Sequence, residues 1–383
     1  MKVLIAPDSF KDSLSAEQVI LSISMGINKV DASVTVEGLP LADGGEGTME
    51  ALTKATGGEF HSVQVHDALM RPVSARIGLL DGRHTAIIEM AEASGLEQLA
   101  VCERNPLLTS TYGTGELIEA ALDLGCRKLI IAIGGSATND GGAGMAQALG
   151  IGFLDAESHE VIPCGGNLLN IAHIRMEGKD HRLKECETYV ACDVTNPLLG
   201  KNGAAHVFAN QKGADSQMIE QLELGMSHYA GIVQGEMNTN FSTLPGAGAA
   251  GGLGFGLMAF LDGKLQPGFK LVAEITDLES KIRTSDLVIT GEGKIDSQTQ
   301  YGKTVFGVAQ LAKKFNKPVL CMAGSLDKGS EVLYSHGVTA MFSLINKPMG
   351  IEEAKQNATE LLTFLSENAF RLYLERLNKN SHG

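Results

Sequence analysis

Glycine-bearing bends that also carry carboxylates, lysines and hydroxyls recur along this chain, and they suit the holding of an anionic ligand while charge moves on it. The densest is Ile133-Gly134-Gly135-Ser136-Ala137-Thr138-Asn139-Asp140-Gly141-Gly142-Ala143-Gly144, with a strand entering and a helix leaving. A mere reversal of direction needs one or two glycines. The excess lets the backbone approach a phosphate or carboxylate, with Gly134, Gly135, Ser136, Thr138, Asn139 and Asp140 within reach. In Ala42-Asp43-Gly44-Gly45-Glu46-Gly47-Thr48 the glycines let the backbone wrap an anion, and Asp43 or Glu46 offers oxygen to a metal. Glu46 reads equally as the acidic first-turn residue of the next helix. Thr290-Gly291-Glu292-Gly293-Lys294-Ile295-Asp296-Ser297 places two carboxylates around a lysine directly after a strand. One or two carboxylates hold Mg²⁺ at phosphoryl-transfer sites, and a lysine offsets charge on the transferred group.

Further segments admit a functional and a plain reading. Asp193 ends an apolar strand in Ala191-Cys192-Asp193-Val194-Thr195-Asn196-Pro197, a place for a general base or metal carboxylate; an Asx-turn at Asn196-Pro197 is the alternative. Lys212, in Gln211-Lys212-Gly213, reads as a phosphate contact or as a surface lysine. Asp8 and Lys11 leave the first strand toward a cleft or form a solvated capping loop. Gly113 and Thr114, in Thr111-Tyr112-Gly113-Thr114-Gly115-Glu116, open a helix as an anion site or by simple N-capping.

Two motifs mislead. Gly246-Ala247-Gly248-Ala249-Ala250-Gly251 fits the dinucleotide fingerprint, but Phe241-Ser242-Thr243-Leu244-Pro245 before it is a poor strand, so a flexible loop and helix start are expected. Tyr301-Gly302-Lys303-Thr304 ends like a phosphate-binding P-loop, yet Ser297 stands where that motif needs glycine. The ten histidines show no metal-ligand spacing.

These bends need strands and helices to aim them. Continuous apolar runs predict buried strands at Val3–Ala6, Ala86–Met90, Leu129–Ile133, Thr188–Cys192, Leu287–Thr290 and Val319–Ala323. Helical patterns cover Ser15–Lys29, Gly115–Leu124, Ala143–Leu149, Ser216–Gln234, Val305–Phe315 and Ile351–Leu377. The alternation predicts an α/β fold with a mainly parallel sheet. With 383 residues, two domains are expected: 1–66 with 285–383, and 67–284, joined through His66–Pro72 and Leu278–Thr284.

A net charge of −14 argues against a nucleic-acid partner. Six scattered cysteines without a C-x-x-C pair read as reduced thiols. Asp8 arrives too early for a signal-peptide apolar region, and no apolar run nears the ~18 residues of a membrane span, so no membrane partner and a cytoplasmic location are expected.

Taken in order, the segments resemble the type I glycerate kinases over nearly the full length. The resemblance is carried by Ile5–Lys11, Ala42–Thr48, Ile88-Glu89-Met90-Ala91 with Ala93-Ser94-Gly95-Leu96, Gly113–Leu117, Ile133–Gly144, Ala191–Leu198, Gly246–Gly254, Val288–Gln298 and Ala323-Gly324-Ser325. It implies ATP- and Mg²⁺-dependent phosphorylation of D-glycerate, at the 2-hydroxyl, by two dissimilar α/β domains, one flavodoxin-like, with the active site in the cleft between them. On that reading Asp193, then Asp296, is the candidate base, and Asp43 and Glu292 are the candidate metal ligands. Lys11, Lys212 and Lys294 are the candidate cationic contacts. Asp8, Gly44, Gly45, Glu46, Gly113, Thr114, Gly134, Gly135, Ser136, Thr138, Asn139, Asp140, Gly291 and Gly293 complete the candidate substrate or phosphate site. Lys294 departs from the arginine common there, and Asn210 from proline. Three readings stay open: the 3-phosphoglycerate isomer as product, an NAD(P)-linked hydroxy-acid oxidoreductase, and a non-catalytic sensor. The oligomeric state is also open, a homodimer among the options.

Overall fold

The computed structural model describes residues 1–296, 299 and 303–380; Ser297, Gln298, Tyr301 and Gly302 of the motifs above lie outside the described residues. Its strands are β1 (Lys2–Ile5), β2 (Thr35–Gly38), β3 (Glu59–His66), β4 (Pro72–Leu80), β5 (Thr85–Glu89), β6 (Lys128–Ala132) and β7 (Gly152–Leu154). They continue with β8 (His173–Arg175), β9 (Glu187–Ala191), β10 (Lys264–Gln266), β11 (Leu287–Ile295), β12 (Val319–Leu326) and β13 (Ala340–Ser343). All six strands expected from the apolar runs are among them. The chain forms two compact units, Met1–Asp43 with Phe269–Gly383, and Gly44–Gly268.

The first unit carries a five-stranded sheet in the order β13-β12-β11-β1-β2, with every pairing parallel. Counted within the unit this is the doubly wound order 2-1-3-4-5. The order reverses between β1 and β11, and that switch point is where such folds collect ligands. β1 and the first halves of β11 and β12 are unbroken apolar runs, as strands covered on both faces are. The helix Ala16–Val30 opens with the Ser15 capping box, in which Gln18 and Ser15 satisfy each other's backbone N–H groups. Its Ile23 and Ile27 share a buried core with Leu362 and Phe370 of the helix Ala358–Asn380. The single helix expected over 351–377 is broken at Asn357, which separates Ile351–Gln356 from Ala358–Asn380.

The second unit holds a six-stranded sheet ordered β10-β9-β6-β5-β4-β3. Pairing is parallel from β10 to β5 and antiparallel from β5 through β4 to β3. Register sets Glu89, Ala132, Ala191 and Gln266 side by side, so four strands end in one row. His66–Pro72, expected as a linker, is instead the turn of the β3–β4 hairpin, where Asp67 accepts from the backbone N–H groups of Leu69 and Arg71. Leu278–Thr284, the other expected linker, is a helix. Among the described residues no helix is long and apolar enough to cross a membrane.

Candidate functional site

Two clusters of functional groups stand at strand ends, one in each unit. In the first unit Asp8 leaves β1 beside Gly291–Glu292 of β11, its N–H bonded to the Gly291 carbonyl at 2.9 Å. The Asp8 carboxylate accepts from the Ser9 N–H at 2.6 Å and the Thr304 hydroxyl at 2.7 Å. Burial, reinforced by the Asp43 carboxylate, pushes Asp8 up to about 6. Glu292 accepts from the Thr299 hydroxyl at 2.7 Å, and burial pushes it up to about 7. Lys303 opposes that rise, while Asp8 and Asp43 add to it. Asp8 and Glu292 thus sit poorly solvated at the switch point, with the half-buried Asp43 adding its charge to theirs.

Such a place concentrates negative charge, and a cation would relieve it. Among the described residues no group of three or more His, Cys, Asp or Glu side chains could hold a metal ion. The donor set fits an ion that keeps its waters and takes one or two carboxylates, which describes Mg²⁺ better than a caged metal. Lys294 stands apart: exposed, 2.8 Å from Asp327 and 3.9 Å from Asp296. Lys11 is exposed; its backbone lies close over Gly293. Thr299, Lys303 and Thr304 complete the cluster; sequence reasoning misses them, because there they read as parts of a failed P-loop.

In the second unit the bend after β6 is pinned on several sides. Leu96 donates to the Gly135 carbonyl at 2.8 Å and Ala137 to that of Ser94 at 2.9 Å. Asp140, wholly buried, accepts from the Thr111 N–H and hydroxyl and from the N–H groups of Gly142 and Gly144. Asp140 therefore ties this bend to the start of the helix Tyr112–Asp123. In that helix Gly113 lies against the His66 carbonyl, and Thr114 is buried against the Ser94 hydroxyl at 2.9 Å. Both serve close packing.

Lys212 is the distinctive group. Gly213, at φ +96°, turns the chain so that this lysine enters the interior, where it is 1% exposed. Its Nζ donates to Ser136 Oγ at 2.7 Å and to the Thr138 carbonyl at 2.6 Å. Burial pushes its ammonium down to about 7, and Asp140 only partly offsets this. Thr138 Oγ1 and Asn139 Oδ1 are buried nearby without a hydrogen-bond partner. A buried lysine is costly unless something anionic meets it. Asp193, exposed at the end of β9, accepts from the Gly268 N–H at 3.0 Å. Gly44 lies against Ala191 and Gly268, and Gly45 against Gly134. The structure thus gathers Gly44, Gly45, Gly134 and Asp193 along one row of strand ends; exposed Glu46 follows in the same loop.

The fingerprint glycines serve packing instead. The helix Ser216–Met237, not a strand, is the element before Gly246, so the context of a dinucleotide fold is lacking and the oxidoreductase reading falls. Gly251, at φ +66°, sits where a Cβ would be 2.0 Å from the Thr138 carbonyl. Gly251→Ala is expected to lower unfolding stability by about 1–3 kcal/mol, from backbone strain and this clash. Urea denaturation checks it; an unchanged midpoint with altered nucleotide affinity would return these glycines to ligand duty.

The model of the "Glycerate kinase family" matches residues 3–374. A protein of Bacillus subtilis (strain 168) named glycerate kinase is 48% identical over 362 residues, spanning 94% of this chain and 95% of its own. The glycerate 2-kinase of Escherichia coli (strain K12) is 46% identical over 368 residues, spanning 96% and 97%. A crystal structure from Salmonella typhimurium LT2, assigned as glycerate kinase 2, superposes with a TM-score of 0.90 at 45% identity and 99% coverage of both chains.

Proposed function

Because the chain belongs to the glycerate kinase family, and is thus a kinase, we propose that it transfers the γ-phosphoryl group of ATP to the 2-hydroxyl of D-glycerate, giving 2-phospho-D-glycerate and ADP. The observation that carries this reading is Lys212, a wholly buried ammonium held by Ser136 and Thr138 at the end of a parallel strand. A carboxylate or phosphate seated there replaces lost hydration with a charge-assisted hydrogen bond. Little covalent chemistry falls to a protein in phosphoryl transfer, so its contribution is positioning and charge.

Asp193 accepts the hydroxyl proton late, its carboxylate oriented by the Gly268 N–H. Asp296 is the second candidate. Asp43 and Glu292 would hold Mg²⁺, whose chemistry is to offset charge on the phosphate oxygens. Thr304 and Ser9 fix the orientation of the Asp8 carboxylate beside them.

Incubating the protein with ATP, Mg²⁺ and D-glycerate is expected to give a ³¹P resonance of 2-phosphoglycerate, and EDTA is expected to abolish it. A 3-phosphoglycerate signal would reverse the regiochemistry. No glycerate-dependent ADP would sink the activity.

A further inference from the structure

Glu89 belongs to none of the roles above, yet it is a carboxylate 5% exposed at the end of β5. Its Oε1 accepts from the Gly47 N–H at 2.7 Å and its Oε2 from the Met49 N–H at 3.3 Å. Those N–H groups belong to the loop and first turn of the helix Thr48–Ala55, whose N-cap is Gly47, at φ +85°, with no capping side chain of its own. Glu89 supplies that cap from 42 residues away. The same loop runs over the row of strand ends. An ideal Cβ on Gly44 would lie 2.6 Å from Gly268 Cα and 3.1 Å from Ala191 Cβ; one on Gly134 would lie 3.1 Å from Gly45 Cα.

From this juxtaposition we infer that Glu89 is a positioning residue: through the Gly47 and Met49 amides it holds the Gly44–Gly47 loop against the ends of β6 and β9, where the anionic substrate is bound. The inference rests on the proposed function for what that loop meets, but not for the anchoring itself. Gly47, at φ +85°, is not in the extended backbone from which Ser or Asn caps, so these amides are met from elsewhere, and a neutral acceptor would meet them without a buried charge. Burying a carboxylate under the strand ends is costly, and its two bonds both point at the loop. The neighbouring charged groups are the carboxylates of Glu92 and Glu46 and the guanidinium of Arg76, which is paired to Glu92 at 2.9 Å. Burial, opposed by the two amides and aided by Glu92 and Glu46, pushes the Glu89 carboxyl up to about 7. Protonation turns one acceptor oxygen into a donor facing an N–H, so the anchor loosens as pH falls through that value.

Glu89→Gln and Glu89→Asp are made in the full chain and compared with the wild type. The expected result is a rise of about tenfold or more in the KM of at least one substrate, with kcat within about threefold. Amide hydrogen exchange should quicken at Gly45–Met49 while β5 and β6 stay protected. The extra exchange at Gly45–Met49 as pH falls through about 7, corrected for the intrinsic rate, should be missing in Glu89→Gln and kept in Glu92→Gln. Wild-type KM together with unchanged exchange in either folded Glu89 variant overturns the inference, as does a loosening of Gly45–Met49 at low pH that survives in Glu89→Gln. Exchange is read without substrate. A wild-type protein with no turnover would therefore defeat the proposed activity while leaving Glu89 tested.

Discussion

Replacing Lys212 by methionine is expected to cut kcat/KM about a hundredfold while the chain still folds. The ammonium bonds Ser136 Oγ and the Thr138 carbonyl, and one charge-assisted hydrogen bond to an anionic substrate is worth about 1.5–3 kcal/mol, of which about 2.7 is a hundredfold. Methionine fills a similar volume and removes a buried charge, so the fold loses little. A stability experiment separates this charge from a merely structural one. Burial pushes Lys212 down to about 7 from the 10.5 of an unfolded lysine. Between those values the unfolded chain binds the extra proton, so wild-type stability rises with pH across the window; below about 7 the full penalty of the buried charge remains. At about 1.4 kcal/mol per pKa unit the rise amounts to a few kcal/mol. The Lys212→Met chain should lack it. Urea midpoints at pH 7 and 9.5, with coupled ADP assays, check both halves. Unchanged kcat/KM would sink the substrate role, and parallel stability profiles would sink the buried charge.

What the sequence shows of this fold follows from solvent exposure. β1, β6, β11 and β12 are covered on both faces, so they read as unbroken apolar runs such as Val3-Leu4-Ile5 and Leu129-Ile130-Ile131. β3 and β4 form a hairpin at the sheet edge, and their mixed runs, Glu59–His66 and Pro72–Leu80, carry a weaker pattern. The turn between them therefore resembles a linker. The bends are legible because glycine marks close backbone approach wherever the partner lies. Which partner it meets is not: Gly251 meets the Thr138 carbonyl and Gly45 meets Gly134, and nothing local tells these apart. Burial of a polar side chain is equally silent. In sequence Lys212 looks as much like a surface lysine as a ligand contact, and Glu89 is only the polar end of an apolar run. The carboxylate trio needs β1 and β11 to be neighbours, a fact of topology that joins Val3 to Leu287.

Asp193→Asn should produce the largest loss of turnover of any single-atom change in the chain, about 10²–10⁴ in kcat, with KM nearly unmoved. Asparagine keeps a carbonyl oxygen for the Gly268 N–H, so the end of β9 keeps its contact with Gly268. Only the capacity to accept a proton is removed. The ceiling on the effect comes from the chemistry: in a loose phosphoryl-transfer transition state the hydroxyl gives up its proton late, so positioning and charge carry most of the acceleration. A fall beyond about 10⁴ would indicate lost structure, which circular dichroism and the urea midpoint would reveal. The parallel change Asp296→Asn decides between the two carboxylates. Asp296 is half-buried and its 3.9 Å pair with the exposed Lys294 is worth little, so a loss under about threefold is expected. If Asp296→Asn instead loses the hundredfold and Asp193→Asn less than tenfold, the proton goes to the first unit, and Asp193 is left as the residue that orients Gly268.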